Sequence, residues 1–496
     1  MSQESNKSYR SILKATGVFG TMQVFRTLIS IVSSKFVAIY LGPIGFGLLS
    51  LLNNAVNIIL AITNFEFLTV ATREVALVSN SGDDLQLAKT ITLLQKMAVV
   101  IGVLGAITCL IFSRLLSILT FGNPSKQHWF IILSFYLLIT GFSNARTAVL
   151  QGVNKIKNLA VCNVVVALIT AVGTIFIYYF MRIEGIIWVM LFSSIVLFLV
   201  TFYFTRKYKF TFNSLGFKEF YANSSPIFKF GFFMSVNLIL GQICNFGIRL
   251  YLNNSGASSQ ILGYYEVSTV ILINYLGLIF NAMSFDFYPK LISVSSENEK
   301  VKQLVNNQIE IALILVTPAI VFLYLSAPFL IELLYTKEFS QTFLILKIAL
   351  FSVILKAVIF PMGYIVLAKG NKKLFFRQAL FSDFLNLVLS IVLYKYYGLF
   401  GIGIAYFLNY TIYAVYVYKL VSNYYNFSFT QSCRKLIELS LLIGVMAIII
   451  IVSFEELYRY ILISILFLIS IIYSYKELNQ RINLKEFIIK KIKRNQ

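Results

Sequence analysis

Basic side chains inside apolar segments constrain this sequence more than any other feature. Fourteen apolar stretches, each long enough to cross a bilayer, follow one another along the chain, and we assign eight of its 42 Lys and Arg residues to their interiors and the other 34 to the connecting segments and helix ends. These eight are Arg26, Lys35, Arg73, Lys96, Arg146, Arg249, Lys347 and Lys356. At the centre of a membrane helix each costs about 2.5–3.5 kcal/mol, so eight without water would cost on the order of 20 kcal/mol. We therefore expect many of them to line a water-filled cationic cavity, as in a transporter for an anion.

The composition is that of a polytopic membrane protein. Hydrophobic residues make up 58% of the 496 residues and charged residues 12%, against about 25% charged in soluble domains. We therefore predict an all-α integral membrane fold with about 14 transmembrane helices. They are placed near 11–41, 44–78, 88–112, 127–149, 157–180, 184–205, 226–252, 260–284, 304–326, 341–366, 374–395, 398–420, 434–452 and 457–475.

The net charge is +22, and the basic residues are distributed as membrane topology requires, so we expect no nucleic-acid partner. With the N-terminus inside and the sides alternating, the inside segments hold 28 Lys and Arg residues and the outside segments 6. This asymmetry agrees with the positive-inside rule and predicts that both termini are cytoplasmic. The basic tail at 476–496 is expected to face anionic membrane lipid.

The sequence argues against several enzyme classes. No loop is long enough for a soluble catalytic domain, His128 is the only histidine, and there is no GxxxxGK[ST] phosphate-binding loop. The four cysteines are dispersed without CxxC spacing, which disfavours a disulfide framework or a metal site. We therefore predict a transporter rather than an enzyme, with no cofactor and no metal.

The two halves of the chain resemble each other at a shift of a little over 210 residues. Segments 19–41 and 230–252 both carry Phe-Gly followed 21 residues later by Tyr-Leu, and 150–155 resembles 367–372. Such a repeat predicts two lobes of six helices in the same orientation, with the substrate path between them. The predicted organisation is an N-lobe at 1–205, a cytoplasmic linker at 206–225, a C-lobe at 226–420, two extra helices at 434–475 and the tail at 476–496.

Four predicted helices, two in each half, carry polar faces. In the helix at 11–41, Gln23, Arg26 and Ser30 recur at spacings of three and four, whereas Lys35 shares that face only if the helix kinks. The helices at 44–78, 226–252 and 260–284 carry rows of Asn. The candidate substrate-binding residues are Arg26, Lys35, Asn57, Arg146, Asn237, Asn245, Arg249 and Asn274.

Each candidate also has a structural interpretation. Asn on a buried face often serves only as an interhelical hydrogen-bonding group, and Lys35 and Arg249 lie near enough to helix ends to reach the interface. Three acidic residues within the membrane, Glu66, Asp286 and Asp383, are candidates for ion coupling through H⁺ or Na⁺, or for salt bridges to the cations.

Residues 41–47, Leu-Gly-Pro-Ile-Gly-Phe-Gly, resemble the LGPxGxG turn that joins the first two helices of polysaccharide flippases in the MOP superfamily. The preceding Lys-Phe-Val-Ala at 35–38 resembles the same stretch of the Wzx-type O-antigen translocases. The resemblance implies a flippase in the bacterial inner membrane that moves undecaprenyl-pyrophosphate-linked oligosaccharide by alternating access. On this interpretation Arg26, Lys35 and Arg249 bind pyrophosphate, and a polysaccharide polymerase and a chain-length regulator are possible partners.

Relatives in the same superfamily supply the alternatives. A lipid II flippase shares the fourteen helices and the cationic cavity, although the arginine-rich motif of its first helix has no clear match here. A multidrug antiporter exports cations and favours an acidic cavity. A membrane scaffold without transport is a third alternative, and the cost of the buried charges argues against it.

Overall fold

The computed structural model describes residues 3–79, 83–153, 155–208, 217–255 and 260–482. Some side chains within these ranges, among them those of Gln23, Asn237 and Asp286, lie outside the description. The described chain forms fifteen α-helices and contains no strand. The helices are α1 (Gln3–Asn64), α2 (Phe67–Ser79), α3 (Asp84–Ile111), α4 (Ser113–Phe121), α5 (Gln127–Gly152), α6 (Ile156–Met181), α7 (Gly185–Thr205), α8 (Phe217–Asn254), α9 (Ile261–Thr269), α10 (Gly277–Ser293), α11 (Asn298–Leu334), α12 (Thr342–Ala368), α13 (Lys372–Tyr425), α14 (Gln431–Ser453) and α15 (Glu456–Ile482).

The predicted all-α membrane fold is confirmed. Ten described segments are long and apolar enough to cross a membrane. Three of them contain two helices that meet at a residue with positive φ: α1 at Gly42, the α6–α7 segment at Arg182 and α13 at Gly398. Counting these three segments as two helices each and adding α8 gives fourteen helices, which match in position the fourteen that hydropathy predicts.

The LGPxGxG motif forms the junction inside α1. Gly42 has φ 59° and ψ −174°, a backbone conformation that essentially only glycine adopts. Pro43 follows in the first turn of the next helix, where its missing N–H costs no hydrogen bond. A Cβ on Gly45 would lie 2.7 Å from the Cβ of Leu41, so glycine is also required there by close packing. The motif therefore ends one helix and begins another within two residues.

The predicted helix at 44–78 is broken near its end. Phe65 and Glu66 have φ angles of 47° and 49°, and α2 begins at Phe67. Helix α8 packs directly against this break, since a Cβ on Gly231 would lie 2.2 Å from the carbonyl oxygen of Phe65. The break is formed against a residue far away in the sequence, so local helical periodicity did not predict it.

The chain separates into two compact units. The first comprises Met1–Gln260 with Leu334–Thr336, and the second comprises Ile261–Leu333 and Lys337–Gln496. Helix α8 belongs to the first unit, whereas the sequence repeat predicts that the C-lobe begins at residue 226 and therefore includes most of α8. The lobe boundaries drawn from the repeat stay a prediction.

Two clusters form the core of the first unit. One surrounds Trp129, Phe130 and Leu133 of α5 and includes residues of α1 and α7. The other joins α2, α3 and α5 through small side chains such as Ala98 and Ala148. Small residues let membrane helices approach closely, which increases van der Waals contact where lipid supplies no hydrophobic driving force.

In the second unit, the two C-terminal helices are attached by a cluster of polar side chains. Arg481 of α15 donates from Nε to Oε2 of Glu310 on α11 at 2.8 Å, and from a terminal nitrogen to Oγ of Ser432 on α14 at 2.9 Å. Arg481 also pairs with Glu477 on its own helix. A single side chain therefore connects three helices at one end of the unit.

Candidate functional site

The first part of α1 has two separate exposed faces. Arg26 and Ser30 are exposed and lie about 40° apart around the helix, at about 100° per residue. Phe25, Leu28 and Val32 are also exposed, by 55%, 53% and 56%, and they centre roughly 150° away from the polar pair. The apolar face suits lipid, whereas a guanidinium and a hydroxyl require water. This part of α1 therefore has one face suited to lipid and another suited to water.

The second part of α1 repeats the arrangement. Asn53 and Asn57 are exposed on one face, while Ile44 and Ile62 are exposed by 38% and 48% roughly 160° away. The polar faces of the two parts therefore both lie away from the lipid-facing side. We call Arg26, Ser30, Asn53 and Asn57 the α1 polar face.

Arg249 of α8 lies buried beside this face. Its Nε donates to Oγ of Ser50 at 3.1 Å, and a terminal nitrogen donates to the carbonyl oxygen of Asn245 at 3.0 Å. Ser50 is one helical turn before Asn53 and lies on the same side of α1. The amide of Asn245 in turn donates to the carbonyl oxygen of Gly241 at 2.9 Å. The structure thus brings Arg249 next to the α1 polar face and holds it there by hydrogen bonds to α1 and α8.

Lys35 is separated from the α1 polar face. It lies about 180° around the helix from Arg26 and is partly buried. Its ammonium donates to the carbonyl oxygen of Tyr335, 300 residues away in the sequence. Phe46 packs edge-on against the same Tyr335 ring, with the ring centroids 5.9 Å apart. Lys35 therefore connects α1 to the short segment Leu334–Thr336 of the same unit.

Arg146 is held by neighbouring helix α7. It is buried, donates to Oγ1 of Thr205 at 2.8 Å, and lies over the Phe202 ring at 4.5 Å and the Phe198 ring at 5.7 Å. Cation–π contacts and a hydroxyl acceptor compensate for its burial in the helical bundle. Through these contacts Arg146 joins α5 to α7. They do not support a role for Arg146 in substrate binding, which stays a prediction.

The remaining candidates for substrate binding are dispersed. Asn274 is exposed in the π-helical segment Val270–Tyr275 of the second unit, a class of distortion that occurs frequently at functional sites. Asn237 lies on α8, and its side chain is outside the described residues. The basic tail at 483–496 is likewise outside them.

The three acidic candidates differ in their surroundings. Glu66 accepts a hydrogen bond from Oγ1 of Thr69 at 2.9 Å, and its carbonyl oxygen accepts the first backbone hydrogen bonds of α2, so it acts as the N-terminal cap of that helix. Asp383 is partly buried on α13 within electrostatic range of the Tyr410 and Tyr413 hydroxyls. The side chain of Asp286 is outside the described residues.

Sequence reasoning missed the partners that define these environments. Ser50 and Thr205 lie in apolar segments and Tyr335 lies in a connection between two predicted helices, and none of them carries a signal of its own. Tyr410 and Tyr413 were also missed, although their spacing of three, which places them on one helical face, was visible in the sequence.

The family model for polysaccharide biosynthesis proteins matches residues 56–344, more than half of the chain. The chain belongs to the polysaccharide biosynthesis protein family. A putative O-antigen transporter from Shigella flexneri is 24% identical over 388 residues, which cover 76% of this chain and 90% of that relative. The resemblance that the LGPxGxG turn indicates is therefore confirmed.

Solved structures of the MOP superfamily share the fold. The lipid II flippase MurJ in an inward closed conformation has a TM-score of 0.67 at 17% identity, covering 93% of this chain and 99% of its own. An inward-facing multidrug resistance MATE family transporter has a TM-score of 0.68 at 16% identity, covering 84% of this chain and 95% of its own. The fold is thus that of a MOP superfamily transporter, and it does not by itself separate the flippase from the drug-exporter alternative.

Proposed function

We propose that this member of the polysaccharide biosynthesis protein family is a flippase for a lipid-linked oligosaccharide. The cargo would be undecaprenyl-pyrophosphate carrying the repeat unit of an O-antigen or a related surface polysaccharide, moved across the bacterial inner membrane. The observation that carries the proposal is the α1 polar face, where exposed Arg26 lies opposite an exposed apolar face. The similarity to a putative O-antigen transporter supports the same cargo class.

The chemistry of the polar residues suits this cargo. A guanidinium binds phosphate oxygens with two parallel hydrogen bonds, so Arg26 is assigned to the pyrophosphate. Arg249, fixed beside the same face through Ser50, supplies a second positive charge. Asn53 and Asn57 present amides that both donate to and accept from sugar hydroxyls.

The charge of α1 favours an anionic cargo over a cationic drug. Residues 11–64 contain Lys14, Arg26 and Lys35 and no Asp or Glu. A cation exporter needs acidic groups in its cavity, because a buried positive charge repels a positively charged substrate. The antiporter therefore stays the weaker alternative, and a lipid II flippase, whose cargo also carries pyrophosphate, is the stronger one.

Transport would proceed by alternating access, with the lipid tail remaining in the bilayer. If an ion drives the cycle, Asp383 is a better coupling group than Glu66, because the Glu66 carboxylate already accepts a hydrogen bond from Thr69. The Tyr410 and Tyr413 hydroxyls, which lie within electrostatic range of Asp383, both donate and accept hydrogen bonds, as a proton or Na⁺ site at Asp383 would require. Contacts with a polymerase and a chain-length regulator belong to the same proposal.

The experiment replaces Arg26 in the native host. We expect Arg26→Ala to remove at least about nine-tenths of the surface polysaccharide, since losing a charge-assisted phosphate contact of about 1.5–3 kcal/mol weakens binding roughly 10- to 100-fold. Lipid-linked repeat units should accumulate in the inner leaflet, where mass spectrometry identifies them. Arg26→Lys keeps the charge without the bidentate geometry and should give an intermediate level.

The matched control is Arg114→Ala, which removes an exposed arginine from α4. It should leave surface polysaccharide unchanged at equal protein level in the membrane. Normal polysaccharide in a well-expressed Arg26→Ala strain would refute the assignment of Arg26. Absence of lipid-linked intermediates after deletion of the whole protein, with altered resistance to cationic drugs, would refute the flippase.

A further inference from the structure

A second polar site lies at one end of the first unit, outside the α1 polar face. Helices α2, α3 and α8 line a partly open cavity of about 380 Å³, within the range of about 300–1,000 Å³ that is usual for small-molecule sites. Its lining residues recur at spacings of three and four on each helix, so three helix faces converge on it. The positive-inside rule places this end of the unit at the cytoplasmic membrane surface.

The cavity changes from polar to apolar along the helix axes. Towards the α2–α3 connection it is lined by Arg73, Lys89 and Asn223, which are all exposed. One helical turn further into the bundle, Val70 and Leu93 are buried and form the apolar part of the wall. A ligand that fits both parts is amphiphilic, with a polar head at the surface and an apolar portion directed into the membrane.

The charge of the mouth is positive. Arg73 pairs with Glu74 at 2.6 Å, whereas Lys89 has no ion-pair partner among the residues that the structure describes. Among the residues that line the cavity, the two basic groups therefore exceed the single acidic group, while Asp83 and Asp84 lie at the adjoining start of α3. Basic pockets between membrane helices on the cytoplasmic side are suited to lipid head groups that carry phosphate.

We propose that this cavity binds the phosphate group of an anionic membrane phospholipid. Lys89 and Arg73 would contact the phosphate oxygens, Asn223 a head-group hydroxyl, and Val70 and Leu93 the first part of the apolar moiety. The lining residues do not overlap the α1 polar face, so the site is distinct from the cargo site and does not depend on it. The bound lipid would connect α2, α3 and α8 at the membrane surface.

The test measures lipid retention by the full-length protein. The protein is released from nanodiscs of equal phosphatidylglycerol and phosphatidylcholine, and native mass spectrometry counts the retained lipids. We expect the wild type to retain phosphatidylglycerol preferentially and Lys89→Gln to lower that retention about fivefold, the contribution typical of one basic residue near a membrane surface. Asn223→Trp, which fills the cavity while keeping both charges, should lower it to a similar extent.

Lys300→Gln is the control, since it removes an exposed lysine that lies on α11, in the second unit, where it pairs with Glu297 at 2.8 Å. It should retain phosphatidylglycerol as the wild type does. Equal retention of the two lipids, or unchanged retention in both Lys89→Gln and Asn223→Trp, would overturn the proposal. Retention that survives excess inorganic phosphate supports a lipid ligand, whereas displacement by inorganic phosphate alone assigns the cavity to free phosphate and overturns the lipid assignment.

Discussion

Three basic residues inside apolar helices are stabilised in three different ways. Arg249 donates hydrogen bonds to Ser50 and to a carbonyl oxygen, Arg146 lies against aromatic rings, and Lys35 donates to the carbonyl oxygen of Tyr335. Each arrangement supplies protein groups in place of water, so these three need no aqueous cavity to be stable. Arg26 differs because it is exposed within a membrane helix. Its exposure, rather than its presence in an apolar segment, is the reason that Arg26 is proposed to contact the anion.

The hydrogen bond between Ser50 and Arg249 gives a prediction at the residue scale. Ser50→Ala removes the acceptor for Nε of a buried guanidinium, and hydrogen bonds to charged groups contribute about 1.5–3 kcal/mol. We expect the free energy of unfolding in mixed micelles to fall by that amount. Ser30→Ala, on the exposed face of the same helix, should change it by less than about 0.5 kcal/mol. Equal free energies of unfolding for Ser50→Ala and Ser30→Ala would contradict the hydrogen bond between Ser50 and Arg249.

At the scale of the helices, single residues decide where a long apolar segment is divided and how a terminal helix is attached. The junctions at Gly42 and Gly398 divide long apolar segments into pairs, because a positive φ cannot continue an α-helix. Helices α14 and α15 lie beyond the predicted repeat, and α15 carries the Arg481 side chain that reaches Glu310 and Ser432. We infer that this cluster fixes α15 to the rest of the second unit.

Removing Arg481 tests that attachment. The carboxylate of Glu310 is only 10% exposed, so Arg481→Met leaves it without its arginine partner and should cost about 3–5 kcal/mol. Arg459→Met is the matched change on the same helix, because Arg459 pairs with exposed Glu456 at 4.0 Å and should cost at most about 1 kcal/mol. Chemical unfolding in micelles measures both values, and hydrogen exchange should rise in α15 only for Arg481→Met. A similar loss in the free energy of unfolding for the two variants would show that the Arg481 cluster does not fix α15 to the second unit.

Charge asymmetry predicts the orientation of the whole molecule in the membrane. The connection before α5 contains Ser125, and the connection between α10 and α11 contains Ser296; both side chains are exposed. Positive-inside topology predicts Ser125 outside and Ser296 in the cytoplasm. The four native cysteines are buried and free, so thiol labelling has little background.

Single cysteines measure this orientation directly. In spheroplasts, Ser125→Cys should react with a membrane-impermeant maleimide, whereas Ser296→Cys should react only after permeabilisation. The two substitutions are matched in chemistry and exposure, so their difference reports the side of the membrane alone. The reverse pattern would place the termini outside and would move the cavity proposed to bind phosphate to the outer surface.

The sequence determined the class of fold and the number of membrane helices. Hydropathy is a local property, because a segment of about 20 apolar residues satisfies its own backbone hydrogen bonds wherever it lies in the bundle. The LGPxGxG junction was equally predictable, since φ near 59° at Gly42 and the fixed φ of Pro43 are requirements of single residues. The separation of Lys35 from Arg26 around α1 also followed from helical geometry.

Only the tertiary structure decided what each polar residue contacts. Arg249 and Ser50 are 199 residues apart, Lys35 and Tyr335 are 300 apart, and the break at Phe65 forms against Gly231. Spacing gives the face of a helix on which a residue lies, but the rotation and the neighbours of that helix depend on packing across the whole unit. For this reason Arg146, which is indistinguishable from Arg26 by hydropathy, contacts α7 and its aromatic rings, whereas Arg26 is exposed.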